Sequence, residues 1–243
     1  MKTARWASWF VVAGVLVLAV AARAGGEEWS FEITPYAWLV NVDGRVSFGD
    51  READFSADFQ DLFEYVDFAG SLLGTASRGR WVGFAQADFF TLHRDFKREP
   101  GGTFESDLLF LNTMAGYRFD GFKSGSTVEV LAGLRYMRLD GRIEITGAGA
   151  ADRSPDALDG SVMLHGSFPL RFISEKLRLN TALSVGAGDS DLVWSLQPDL
   201  QYHFNERFSA RAGYRRLQYE FSKEGADVDM GFQGFLAGVS VAL

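Results

Sequence analysis

LDGSVMLHGSFPLRFISEKLRLNTALSVGAGDSDLVWSLQPDLQYHF, residues 158–204, alternates apolar and polar side chains through three consecutive segments. In the first, Leu158, Val162, Leu164, Phe168, Leu170 and Phe172 share one face, against Asp159, Ser161, His165, Ser167 and Arg171. In the second, Leu177, Leu179, Leu183 and Val185 oppose Arg178, Asn180 and Ser184; in the third, Leu192, Trp194, Leu196, Leu200, Tyr202 and Phe204 oppose Ser195, Gln197, Asp199, Gln201 and His203. Side chains on a strand change face at every residue, so each segment reads as a strand with one oily and one wet side.

A soluble sandwich alternates too, so strand length and the wet face decide. The segments exceed the usual five or six residues, and Phe168, Phe172, Tyr202 and Phe204 sit towards the ends of the apolar face. Arg171, Arg178, Asp199 and His203 on the other face carry too much charge for a sandwich core. Apolar outside, polar inside and aromatic at the rims describes strands that cross an outer membrane with about nine to eleven tilted residues. The fold expected is an all-β, transmembrane, antiparallel up-and-down barrel.

The amino-terminal region agrees with export. Lys2 and Arg5 precede an apolar run from Trp6 to Ala22, and Ala22-Arg23-Ala24 is a small-x-small cleavage site. Residues 1–24 therefore read as a signal peptide and 25–243 as an outer-membrane β-barrel domain. Loss of Lys2, Arg5 and Arg23 with the leader makes a net charge of −8 more negative still, which argues against nucleic acid as a partner. The absence of cysteine excludes disulfides, thiolate metal sites and a Cys nucleophile.

Taken in order, the chain yields ten strands. The first is Trp29–Leu39, followed by a turn at Asn41-Val42-Asp43-Gly44 and an acidic, irregular stretch to Glu64, in which Ser56 caps a short amphipathic helix bearing Phe59, Leu62 and Phe63. Strands follow at about 66–77, 80–92, 103–119 and 126–145, separated by a link at Arg78-Gly79, a charged loop over 93–102, a turn at Asp120-Gly121 and a small-residue loop over 147–155. The three strands quoted at the outset come next. The ninth, Arg207–Phe221, changes the parity of its apolar face near Arg215-Arg216 and reads as bulged there. The tenth covers 228–243. Short links alternate with long ones, as an even-stranded barrel with both ends in the periplasm requires. Eight strands result if two weak ones merge, and twelve if residues 45–55 form their own hairpin in the membrane.

From the first strand onward the chain resembles a family of small proteobacterial outer-membrane β-barrel proteins. The residues that carry the resemblance are Trp29-x-Phe31-x-Ile33-Thr34-Pro35-Tyr36-x-Trp38, Asp43-Gly44, Phe59-x-Asp61-Leu62 and Gly79-Arg80-Trp81. The resemblance implies fold and location and carries over no catalytic residue. The last strand resembles a barrel-assembly signal, which commonly ends in Phe where this chain has Leu243.

Three groups are candidate sites. Glu32, Asp88, Arg118, Glu129, Arg135, His165, Arg171, Arg178, Asp199 and Arg211, with Arg80 and Arg215, fall on inward-facing positions. They line either a narrow anion-preferring pore or a lumen filled by mutually neutralised charges. The second is expected, because unpaired buried charge is costly and ten strands enclose little space. His165 and Ser167 share a face, as a lipid deacylase would need, but lie on the polar side with Asp159 and Arg171, away from acyl chains. Asp43, Asp50, Glu52, Asp54, Asp58, Asp61 and Glu64 make the first outer loop acidic, able to meet an extracellular ligand or a divalent cation. Trp29, Trp81, Tyr117, Tyr136, Phe168 and Tyr202 read as interfacial anchors; His93 and His203 lack metal-ligand neighbours. The function expected is a non-catalytic barrel with a structural or surface-interaction role. The alternative is a narrow passive channel for small solutes; a lipid A-modifying hydrolase comes third. Outer-membrane lipids and the barrel-assembly machinery are the expected partners, and no cofactor or metal is expected.

Overall fold

A computed structural model describes residues 29–48, 51–57, 66–96, 102–121, 125–145, 149–223 and 226–243. They form twelve antiparallel β-segments: β1 (Ser30–Phe48), β2 (Arg51–Ala57), β3 (Val66–Arg78), β4 (Trp81–Phe96), β5 (Gly102–Asp120), β6 (Thr127–Ile145), β7 (Gly149–Arg153), β8 (Asp156–Pro169), β9 (Leu177–Gly188), β10 (Leu192–His203), β11 (Phe208–Lys223) and β12 (Ala226–Ala242). Each barrel strand pairs with its neighbour in sequence, β2 and β7 standing aside, and β12 closes on β1. The closed barrel thus has ten strands, with no helix among the described residues. The start of β1 and the end of β12 meet at one rim, where Leu243 N donates to Phe31 O at 2.9 Å. Closure leaves the ring of ten strands without a sheet edge, which any sheet lying in lipid must achieve.

Tight turns gather at that same rim. Gly79 holds a φ of 58° and Gly125 one of 79°, conformations that an L side chain would strain. Gly121 N donates to Ser126 O at 2.8 Å and so holds the ends of β5 and β6 together.

The outer ends of the strands differ from the sequence reading. Asn41 to Gly44 is no turn: β1 runs straight through it, paired with β12 on one side and, from Val42, with β2 on the other. Two ladders outweigh local turn propensity there. Residues 45–57, expected to be irregular, form the rim hairpin β1–β2, so Ser56 is a strand residue and caps no helix; Phe59, Leu62 and Phe63 lie outside the described residues. The charged loop begins later than expected because β4 continues to Phe96, and the small-residue loop contains β7, paired to β6.

Nor does β11 bulge. Its register to β12 is unbroken, with Arg215 opposite Gly234 and Arg216 opposite Gln233. Arg171 and Phe172 also leave the strand assigned to them. The carbonyl of Leu170 accepts from the amides of Ile173 and Ser174, which closes a turn after β8 and leaves Arg171 exposed.

Candidate functional site: the barrel interior

Alternation sorts every strand into an outward and an inward face. On β8, Leu158, Val162 and Leu164 point out and are about half exposed, whereas Ala157, Asp159, Ser161 and Met163 are buried. The outward apolar band runs from Val128 to Tyr136 on β6, Leu158 to Phe168 on β8 and Leu196 to Tyr202 on β10, where Trp194 lies beside Arg216 of β11 at its outer edge. Rings mark its short-turn edge: Trp81 meets Tyr117 edge-on at 5.5 Å, and Tyr202 meets Phe204 at 5.4 Å.

The inward residues make two storeys. The storey nearer the short turns is polar and cross-linked. Asp88 accepts from the Tyr36 hydroxyl and, at 2.6 Å, from Arg215 Nη1, while Arg215 also lies 4.4 Å over the Trp38 ring. Arg211 donates to both oxygens of Asp199, at 3.0 and 2.8 Å, and lies 3.7 Å from Glu32. Asn180 donates to Asp199 and Gln201, and Gln201 to Ser209 and Glu32, which ties β1, β9, β10 and β11 together across the lumen. Arg118 donates to one oxygen of Glu129 at 2.6 Å, and His165 Nδ1 lies 2.8 Å from the other. Arg135 donates to Ser184 and Ser195. Three inward arginines are paired with acids, Arg118 with Glu129, Arg211 with Asp199 and Glu32, and Arg215 with Asp88, as buried charge requires, whereas Arg135 and Arg178 bond to hydroxyls and a backbone carbonyl.

The storey nearer the long connections is apolar. Trp38, Val40, Phe90, Leu108, Phe110, Met137, Val193, Leu217, Tyr219, Phe232 and Leu236 form one buried cluster inside the barrel. Phe110 is its hub, 4.9 Å from the Phe232 ring and 6.3 Å from both Trp38 and Tyr219. A second cluster of Val82, Met114, Leu131 and Met163 lines the lower wall.

Nine of the ten inward positions read from sequence project into the barrel; Arg171 sits on the β8–β9 turn, and Arg80 pairs with Asp120 at the rim, 3.1 Å away. The deacylase pair is taken up elsewhere: His165 meets Glu129, whereas the Ser167 hydroxyl donates to Asn180 and accepts from Arg178. His93 faces Glu105 at 3.5 Å. What the sequence reading missed is the amide and phenol share of the lattice, Tyr36, Gln86, Asn180, Gln197 and Gln201. Each stands at an inward position of the alternation it had already recognised.

Outside the band, a cleft of about 430 Å³ is lined by Asp43, Gly44, Arg45, Asp54, Ser56, Gln218 and Asp229. Arg45 pairs there with Glu52 and Asp54. Among the described residues no group of three acids or histidines converges as metal ligands. Beyond the band on β6, Arg138 donates to both oxygens of Asp140, at 2.8 and 3.0 Å, and holds that carboxyl below its ordinary range.

A closed ten-stranded antiparallel barrel with an apolar exterior band and a filled interior is thus the class that fold and site define. No family model and no curated protein matches the sequence. Among solved structures, the translocator domain of the autotransporter NalP from Neisseria meningitidis is similar at a TM-score of 0.42 and 14% identity, over 98% of this chain and 97% of that one. Ail, the attachment invasion locus protein of Yersinia pestis, is similar at 0.39 and 12%, over 89% and 99%. The toluene transporter TodX of P. putida is similar at 0.32 and 10%, over 92% and 91%.

Proposed function

We propose that the chain is an integral outer-membrane barrel that does not conduct, and that it acts through its mechanical presence in the envelope and through its outward surface. The observation that carries this reading is the buried aromatic storey around Phe110, which fills the barrel above a lattice of neutralised charge. A pore needs a continuous wetted path, and apolar side chains packed against one another leave water no partner. The membrane itself is supported by the outward band. Leu134, Val162, Leu183 and Val239 are each about half exposed, and such a belt around a whole barrel far exceeds the apolar patches that water-soluble monomers present. Its height of about nine to eleven residues per strand matches the hydrocarbon layer. Lipids are then the principal partners, the assembly machinery delivers the barrel to them, and the acidic outer wall meets any extracellular ligand.

Planar-bilayer recording of the purified protein tests the sealed interior. Silent traces are expected for the wild type. Discrete conductance steps in the wild type would show the lumen to be open and return the narrow-channel reading to first place.

A further inference from the structure

At the short-turn rim two arginines, Arg171 and Arg178, converge without a carboxylate partner among the described residues. Arg178, the second residue of β9, points inward and is part-buried; its Nε donates to Ser167 Oγ and its Nη2 to the carbonyl of Gly125, both at 3.0 Å. Arg171 converges on the same glycine from the β8–β9 turn, its Nη2 about 3.0 Å from where a β-carbon on Gly125 would stand. Arg171 and Arg118 are the charged neighbours that act on Arg178, and among the described residues no carboxylate forms an ion pair with Arg171 or Arg178. Glu129, the nearest acid of this group, is already shared between Arg118 and His165.

Arg171 and Arg178, held together at Gly125 and Ser167, repel each other, and Arg118, although paired with Glu129, adds to the positive charge there. Their donors exceed the acceptors around them, since each guanidinium carries five N–H groups. Inside the barrel Arg118, Arg211 and Arg215 are each paired with a carboxylate, whereas Arg171 and Arg178 meet at the mouth with none among the described residues. Guanidinium groups match the geometry of oxyanions and bind them by charge-assisted hydrogen bonds. We infer that Arg171, Arg178 and Arg118 form an anion site at the short-turn mouth, built for a carboxylate or phosphate group presented from the periplasm. This side of the barrel is periplasmic on the membrane reading above, so the source of the anion rests on that reading, whereas binding itself does not. Two sources offer the chemistry: a carboxylate of the cell-wall peptides, or a soluble oxyanion.

The test uses the full mature barrel in detergent micelles and inorganic phosphate as the probe, followed by calorimetry or by shifts in side-chain NMR signals. Saturable binding is expected, weakened about tenfold or more in Arg171→Glu, because reversal replaces an attraction by a repulsion at contact distance. Arg171 is exposed, so the substitution leaves the fold intact. Arg207→Glu, on the β10–β11 turn outside the cluster, is expected to weaken binding less than about twofold. Absence of saturation, or equal weakening by the two variants, overturns the site and leaves only a diffusely basic rim. Given saturable binding, co-sedimentation with purified cell-wall sacculi that phosphate competes away identifies the wall carboxylate as ligand. Phosphate binding without co-sedimentation identifies a soluble oxyanion, and the site stands in either case. A mature chain that stays monomeric without detergent would sink the membrane reading while leaving the phosphate titration to be read independently.

Discussion

Along β11 the chain reverses its polarity without altering its backbone. From Phe208 to Tyr214 the outward residues are Phe208, Ala210, Ala212 and Tyr214, and the inward ones include Arg211 and Arg215 just beyond. From Arg216 to Phe221 the outward residues are Arg216, Gln218 and Glu220, while Leu217, Tyr219 and Phe221 point inside. The first half obeys the rule of a barrel in lipid and the second that of a barrel in water. The surrounding solvent changes from hydrocarbon to water along one strand, and the side chains answer by exchanging faces. The apparent bulge at Arg215-Arg216 is this exchange. Strands of 19 residues such as β5 and β6 are about twice what the bilayer needs, and the surplus carries its own core.

The sharpest way to break the contrast is to remove a partner from the buried ion pair beneath the apolar storey. Asp88→Ala leaves Arg215 and the Tyr36 hydroxyl without their acceptor in a site 1% exposed, which costs about 3 to 5 kcal/mol. A large loss of resistance to urea or heat in micelles is the expected result. The double replacement Asp88→Leu with Arg215→Met is expected to recover most of that loss, because it removes both charges rather than stranding one. Next in size is Phe110→Ala, expected to cost about 3 kcal/mol through a cavity at the centre of the outer core. Leu134→Ala, a truncation on the outward band of β6, opens no cavity and is expected to cost well under half as much. Equal losses for the two would deny the outer storey its status as a core.

A charge placed on the wall separates the two halves from outside. Val162→Arg, mid-band on β8, is expected to cost about 2 kcal/mol or more, as for an arginine near the bilayer midplane. Glu220→Arg, beyond the band on β11, is expected to stay within about 0.5 kcal/mol. Folding yields into lipid vesicles would measure both, and a costly Glu220→Arg would extend the membrane over the outer half.

The inner half was legible because lipid outside and charge inside give every strand the same period-two signature. Leu158 to Phe168 and Leu192 to Tyr202 needed no tertiary knowledge to be sorted. The outer half was not, for two physical reasons. Where core and solvent exchange sides, strict alternation reads as an irregularity, which made a bulge of Arg215-Arg216. Where two ladders hold a segment, as β12 and β2 hold Val42 to Phe48, residues such as Asp43 and Gly44 stay extended against their local preference for a turn. Arg171 went astray for a third reason: the turn that ejects it is made by backbone bonds of Leu170, invisible in side-chain pattern.

The smallest expected effect lies on the outermost part of β6, in water. Arg138 and Asp140 stand two residues apart on one face and share two hydrogen bonds, both half-exposed or nearly so. Solvent screening limits such a pair to about 0.5 kcal/mol. The carboxyl is held below its ordinary value by the guanidinium, so its contribution is fully present above the unfolded-state value of about 4 and is lost as pH falls through the lowered one. Arg138→Ala should therefore narrow the stability gap between pH 7 and pH 3 by no more than that amount, read as a slight flattening of the acid limb of the unfolding profile. The buried Asp88 and Arg215 pair owes its larger expected effect mainly to its surroundings, so a loss at Arg138→Ala as large as that of Asp88→Ala would mean that the outer strands are walled off from water, and that the exchange of solvent along the barrel does not occur where β11 changes face.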